Sequence, residues 1–194
     1  MSRLNTVDPT RAEGKAKTLL DAVKSKMGMV PNLTKVMANS PAALEAYLGF
    51  AGGLAGGTLP AKLKELLALD VGQANGCDYC VSAHSLLGKH AGLTADQILS
   101  GRKGTSEDPK TAAALAFARK LLATRGRATD ADLAAVRDAG YTDGEITEIV
   151  AHVALNTLTN YLNNVAETEI DFPKAPPIDH HELCESIPGC DPTR

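Results

Sequence analysis

The apolar residues of this chain recur at helical spacing along its length, and no segment alternates apolar with polar residues in the way a half-buried strand requires. Leu19, Leu20 and Val23 mark one face of a first helix, with Asp8 and Pro9 as its cap and first residue and an end near Gly28. Pro31 opens a short helix to Ala38, and Ser40-Pro41 repeats the start signal for a third helix. The third helix runs into the Gly52-Gly53 and Gly56-Gly57 pairs, where an end or a bend is expected. After Pro60, AKLKELLALDVGQA is apolar nearly all round beyond its first turn and should be buried. Asn75-Gly76 reads as a tight turn, followed by a helix from about Cys77 to Ala91 that Gly92 stops. Thr94 caps the next short helix, and Gly101 to Asp108 forms a polar loop. Pro109 to about Arg125 is alanine-rich and helical, Thr129 or Asp130 caps another helix, and Thr142 or Asp143 caps a long one ending near Glu169. The expected fold class is all-α.

Residues 1–39 form an N-terminal helical segment in this reading, 40–173 the main helical domain and 174–194 a proline-rich tail. From Asp171 onward lie five of the ten prolines, the composition of an extended strap. A weak internal echo joins ELLALDV at Glu65 to EIVAHVA at Glu148, each followed by an asparagine, Asn75 and Asn156. A duplicated hairpin and a shared apolar period explain it equally well.

With 194 residues, 44% of them hydrophobic, the chain can bury one compact core or two small ones. Twenty Lys and Arg against 23 Asp and Glu give a formal charge of −3, without the basic surplus of a nucleic-acid partner. Its apolar stretches fall short of the ~20 residues of a bilayer span, so no membrane segment is expected. The start, MSRLNTVDPTRAEGKAK, lacks the apolar core of a secretion signal, which predicts a cytoplasmic protein in a reducing compartment. Four cysteines then call for something other than an extracellular disulfide framework.

At about 100° per residue, Cys77, Cys80, His84 and Gly88 share one narrow helix face. Asp78, Ser82, Ser85 and Lys89 form a separate polar stripe expected to meet solvent. Thiols three residues apart can close a disulfide with modest adjustment, and so small a loop serves redox cycling better than stabilisation. The helix N-terminus favours a thiolate at Cys77, whereas His84, one turn beyond Cys80, favours Cys80 as the nucleophile; residue physics leaves that assignment divided. If the chain reverses at residues 75 and 76, Glu65 comes level with residue 86, beside His84. Its face carries Ala61, Ala68, Leu69 and Gly72, and a carboxylate against that apolar layer suits a proton acceptor. The same Cys77, Cys80 and His84, with Glu65 as fourth ligand, could instead form a zinc or redox-sensing switch controlling assembly.

ELLALDVGQANGCDYCVSAH, with its Glu-x11-Cys-x2-Cys-x3-His spacing, resembles the alkylhydroperoxidase D-like branch of the carboxymuconolactone decarboxylase superfamily. The resemblance covers roughly residues 40 to 173, including GLTADQI and NYLNNVAETEIDFP, which looks like the peroxidase-related members. It implies an all-α fold with the CxxC helix in a helical hairpin, assembled as a trimer or hexamer, and a site near subunit contacts. It implies a peroxidase for hydrogen peroxide or organic hydroperoxides that needs no cofactor and draws on a thiol or dithiol reductant. Cys80 would attack the peroxide, Cys77 would resolve the sulfenic acid, and Glu65 with His84 would relay protons. Tyr79 stands where some members carry His between the thiols, so the lipoylated protein that reduces those members is not implied here. Decarboxylase members lack the CxxC pair, which makes lactone decarboxylation the lesser alternative.

His152, Asn156 and Asn160 recur every four residues on the last helix, where polar contacts between subunits are expected ahead of a pocket lining; Tyr161 is expected in the core. In the tail, His180, His181, Cys184 and Cys190 have the residue types of a metal site, but their spacing matches no closed zinc motif. A strap with incidental thiols is the plainer expectation, and a tail disulfide is open.

Overall fold

Side chains fix where most of the helices begin. Ser40, Thr94, Asp108, Thr129 and Thr142 each accept a hydrogen bond from the backbone N–H three residues on. At Thr94, Thr129 and Thr142 the third helical residue, Gln97, Asp132 or Glu145, reaches back to complete a capping box. In this computed structural model, which describes residues 2–178, the described residues form nine helices and no strand. They are α1 (Gly14–Met27), α2 (Asn32–Met37), α3 (Pro41–Ala55), α4 (Ala61–Ala74), α5 (Asp78–His90), α6 (Ala95–Arg102), α7 (Pro109–Thr124), α8 (Asp130–Asp138) and α9 (Asp143–Ala166). Among the described residues no helix is long and apolar enough to cross a membrane.

The first helix begins later than its sequence signals predict. The Asp8 carboxylate is occupied in a local turn, accepting from the backbone N–H and hydroxyl of Thr10, and Gly14 opens α1 with a φ of 56°. Gly52-Gly53 does not end α3, which continues to Ala55.

Two apolar clusters divide the chain. One joins α4, α6, α7, α8 and α9 through residues such as Leu67, Leu115, Val136 and Ile149. The other joins α1, α2 and α3 to the start of α5 through Leu20, Leu33, Leu44 and Tyr79. After α9 the chain runs extended across this second cluster as a strap. Phe172 packs edge-on against Tyr79 with ring centroids 5.6 Å apart, Asp171 accepts from the Tyr79 hydroxyl at 2.8 Å, and Ala175 N–H donates to Ser82 Oγ at 3.1 Å. The polar stripe expected on α5 therefore meets solvent at Asp78 and Lys89 but not at Ser82, which the strap buries. Tyr161 also departs from expectation: it is 59% exposed, on the outer face of α9.

Helix α4 is clamped to α7 by an ion pair. Arg119 Nε donates to Asp70 Oδ1 at 2.6 Å, and Asp70 is fully buried. Burial pushes the Asp70 carboxyl up to about 7, against the pull of Arg119. Replacing Arg119 by Met leaves that carboxylate unpaired and is expected to cost about 3–5 kcal/mol in urea unfolding at pH 8. The loss should shrink toward pH 5, where Asp70 takes up a proton, because the folded form then binds more protons than the unfolded one. A loss below about 1 kcal/mol at pH 8 would show that the pair does not hold the helices together.

Candidate active site

Helices α4 and α5 run antiparallel, joined at Asn75-Gly76, where Gly76 takes a φ of 62°. Their backbones come close at both ends of the contact. A Cβ on Gly72 would lie 3.5 Å from the Cys80 Cβ, and one on Gly88 would lie 3.8 Å from the Glu65 Cβ and only 3.0 Å from Leu93. This approach sets Glu65 opposite His84, and the His84 Nδ1 and Glu65 Oε2 atoms are 2.8 Å apart. Their side chains keep only 24% and 21% of their exposure. With Nδ1–H donated to the carboxylate, Nε2 is the ring atom free to exchange a proton. Burial alone would lower the affinity of His84 for a proton, but the hydrogen bond and charge of Glu65, with the charge of Cys80, raise it overall.

Cys77 is the N-cap of α5, and its sulfur accepts from the Cys80 backbone N–H at 3.4 Å. Asn163 Nδ2 donates to Cys80 Sγ at 3.2 Å, and the Thr159 hydroxyl stands 4.0 Å from the same sulfur. The hydrogen bond from Cys77 is the largest influence on Cys80; burial opposes it, while His84, Asn160 and Asn163 add to it, and the thiol comes down to about 6. Cys77 moves the other way, raised by the same bond with Cys80, by burial and by the Cys80 charge. The Cys80 backbone N–H at the start of the helix pulls Cys77 down, but the Cys80 thiol and burial push it up by more.

The two thiols also differ in access. A cavity of about 440 Å³ opens between α1, α3, α4, α5 and α9, and Cys80, His84 and Glu65 line it. Cys77 does not, although both thiols are nearly closed to solvent, 1% and 3% exposed, and both pack into the second apolar cluster. Leu48, Leu87 and Leu155 supply apolar wall, and His152, Asn156 and Thr159 a polar side. A second hollow of about 650 Å³ lies beside Tyr141 and Lys110, and none of the four expected site residues lines it.

His152, Asn156 and Asn160 were expected to meet a neighbouring subunit, and the structure corrects this. All three are buried within the chain: His152 and Asn156 line the cavity, and Asn160 Oδ1 accepts from Asn75 Nδ2 at 2.9 Å. Thr159 and Asn163 went unremarked in the sequence. Their signal was available, since Asn156, Asn160 and Asn163 recur at helical spacing on one face. The Tyr79 network was missed as well: its hydroxyl accepts from Leu33 N–H and donates to Asp171, whose other oxygen accepts from Asn32 N–H. Among the described residues no group of three or more His, Cys, Asp or Glu side chains is arranged to hold a metal ion. His180, His181, Cys184 and Cys190 lie outside the described residues.

The sequence pattern of the Carboxymuconolactone decarboxylase family matches residues 41–122, a span holding all four expected site residues. The fold is similar to the alkylhydroperoxidase AhpD core of a peroxidase-related protein from Ralstonia eutropha JMP134, with 26% identity and a TM-score of 0.78 over 88% of this chain and 92% of that one. Residues 41–122 carry the carboxymuconolactone decarboxylase family domain, and the fold supports the alkylhydroperoxidase D-like branch of that superfamily. A peroxidase-related protein from Silicibacter sp. TM1040 shares the fold at 22% identity and a TM-score of 0.74, over 86% of this chain and 88% of that one. The debrominase Bmp8, also solved as a variant in complex with 2,3,4-tribromopyrrole, shares it at 18% identity and a TM-score of 0.68, over 89% of each chain. No curated protein matches the sequence. The fold is all-α and alkylhydroperoxidase D-like, and with the family domain it supports a peroxidase-related or decarboxylase-like function; Bmp8 shows that this fold also carries other chemistry.

The electrostatics of the pair carry a direct expectation. Alkylation of Cys80 by iodoacetamide should rise with pH through a midpoint near 6, because the thiolate is the reactive form. In His84→Gln the midpoint should move only part of the way up toward the ordinary thiol range near 8.5, because the hydrogen bond from Cys77 remains. Peptide mapping of the alkylated protein across pH reads both, and a wild-type midpoint of about 8 or above would contradict the arrangement.

Proposed function

We propose that this chain is a thiol-dependent peroxidase that reduces hydrogen peroxide or organic hydroperoxides through a Cys77-Cys80 dithiol cycle. The observation that carries the reading is the asymmetry of the thiols: Cys80 lines the cavity with its acidity increased, and Cys77 sits behind it with its acidity decreased. The Cys80 thiolate attacks the terminal oxygen of the hydroperoxide, an S–O bond forms as the O–O bond breaks, and the alkoxide leaves as an alcohol. The proton for the alcohol comes from the His84 imidazolium, which the Glu65 carboxylate orients and stabilises by accepting from Nδ1–H. Sulfur is oxidised by two electrons and the peroxide is reduced by two. Cys77 then gives its proton to the departing hydroxyl of the Cys80 sulfenic acid, releasing water and closing the disulfide. Two thiol groups of an external reductant, or one dithiol, reopen it by exchange.

The expected homo-oligomer, a trimer or hexamer, has a face that suits it. Val150, Leu158, Tyr161 and Val165 are exposed in a stripe along α9, spanning about 22 Å of helix. We read this stripe as the surface that packs against a second copy. Leu158→Lys should lower the mass measured by light scattering, and an unchanged mass would place the contact elsewhere.

The peroxidase reading is tested by two variants assayed with cumene hydroperoxide and dithiothreitol. Cys80→Ser should lose turnover by at least about a thousandfold, the scale of removing a nucleophile. With one equivalent of cumene hydroperoxide and no reductant, Cys77→Ser should be left with a sulfenic acid on Cys80 that dimedone traps. Retained turnover in Cys80→Ser would refute the mechanism, and a sulfenic acid on Cys77 in the wild type would reverse the roles.

A further inference from the structure

His152 takes no part in the proton relay, yet it lies in the same cavity. Its side chain is buried, with 7% exposure for the residue, and its Nε2 is shut off from solvent without a hydrogen-bond partner. Buried polar atoms are nearly always paired, so a bare one lining a cavity points to a group that arrives with a ligand. The neighbouring polar groups are already occupied. Asn156 Nδ2, one turn on, donates to the backbone carbonyl of His152 rather than to its ring. Lys64 gives its ammonium to the carbonyls of Leu54, Ala55 and Gly57 at the end of α3. Glu148 accepts from Thr58 and Leu59, and Glu65 pairs with His84.

The character of the ring narrows the ligand. Burial first, and then the charge of Lys64, hold the His152 imidazole below its ordinary proton affinity, so at neutral pH it carries no charge. A neutral ring nitrogen suits an uncharged oxygen, as donor or acceptor, better than a carboxylate. Its position sets a distance. His152 stands seven residues before Thr159, whose hydroxyl is 4.0 Å from Cys80 Sγ, so the two levels are about 10 Å apart along α9. Leu155, also on α9, and Leu48 and Leu87 are the apolar lining of the same cavity.

We propose that His152 Nε2 hydrogen-bonds a second, uncharged oxygen of the substrate, so that the preferred hydroperoxides are apolar chains bearing a hydroxyl or carbonyl about 10 Å from the peroxide. The inference deepens the peroxidase reading and rests on it for the word substrate; the binding site itself stands on the cavity and the bare nitrogen. His152 is thus a specificity-determining residue, outside the reacting atoms.

The test compares octyl hydroperoxide with 8-hydroxyoctyl hydroperoxide, and 1-octanol with 1,8-octanediol, in the wild type, His152→Leu and His152→Gln. The ratio of kcat/KM for the hydroxylated over the plain hydroperoxide should fall about tenfold in His152→Leu, mainly through KM, and less in His152→Gln, which keeps a hydrogen-bonding group. The ratio of diol to octanol affinity, by titration of the reduced protein, should fall by the same factor. Using ratios within each protein cancels any general loss of folded material. A ratio unchanged by His152→Leu would overturn the proposal. If no hydroperoxide turns over, the peroxidase reading fails by itself, and the diol-to-octanol ratio still decides the role of His152.

Discussion

The close approach of α4 and α5 governs the rest of the site. Gly72 and Gly88 lie where the two helices face each other. A methyl at Gly72 would touch Cys80 and Val81 at ordinary contact distance, whereas one at Gly88 would crowd Leu93. With the helices that near, Glu65 reaches His84, and the imidazole stays poised over the same cavity wall as Cys80. The turn at Asn75-Gly76 then makes Cys77 the cap of α5 instead of a residue within it. That single displacement gives the two cysteines different surroundings: one sulfur receives a backbone N–H and does not line the cavity, and the other receives Asn163 and does.

The hairpin is supported from both sides. Asp70 and Arg119 tie the back of α4 to α7, inside the larger apolar cluster. The front of α5 is held by α2 and the strap, where Tyr79 joins Leu33, Asp171 and Phe172 in one contact. A tyrosine between the cysteines therefore serves a structural network here. Through it, Tyr79 anchors the chain after α9 against α5.

Much of this was legible in the sequence. Helix starts followed from Ser40, Thr94, Thr129 and Thr142 because capping is a local interaction, and the Glu65, Cys77, Cys80 and His84 grouping followed from helical spacing across one short turn. What escaped depends on distant partners. Asn163 lies 83 residues beyond Cys80, and nothing local shows that it points at a thiol. Helix α9 also inverts the usual rule: Asn156, Asn160 and Asn163 are buried while Leu158, Tyr161 and Val165 face outward. A helix with buried polar residues on one face and exposed apolar residues on the other defeats a reading in which apolar means inside. The start of α1 failed for a smaller reason, since Asp8 caps a turn just as readily as a helix.

The central claim is that Cys80 takes the oxygen from a peroxide and Cys77 closes on it. Mass mapping of the fully reduced protein before and after one equivalent of hydroperoxide tests it most directly. The account predicts rapid, selective loss of two hydrogens from the single peptide that carries both Cys77 and Cys80. Two unchanged thiols after the peroxide has been offered would contradict it.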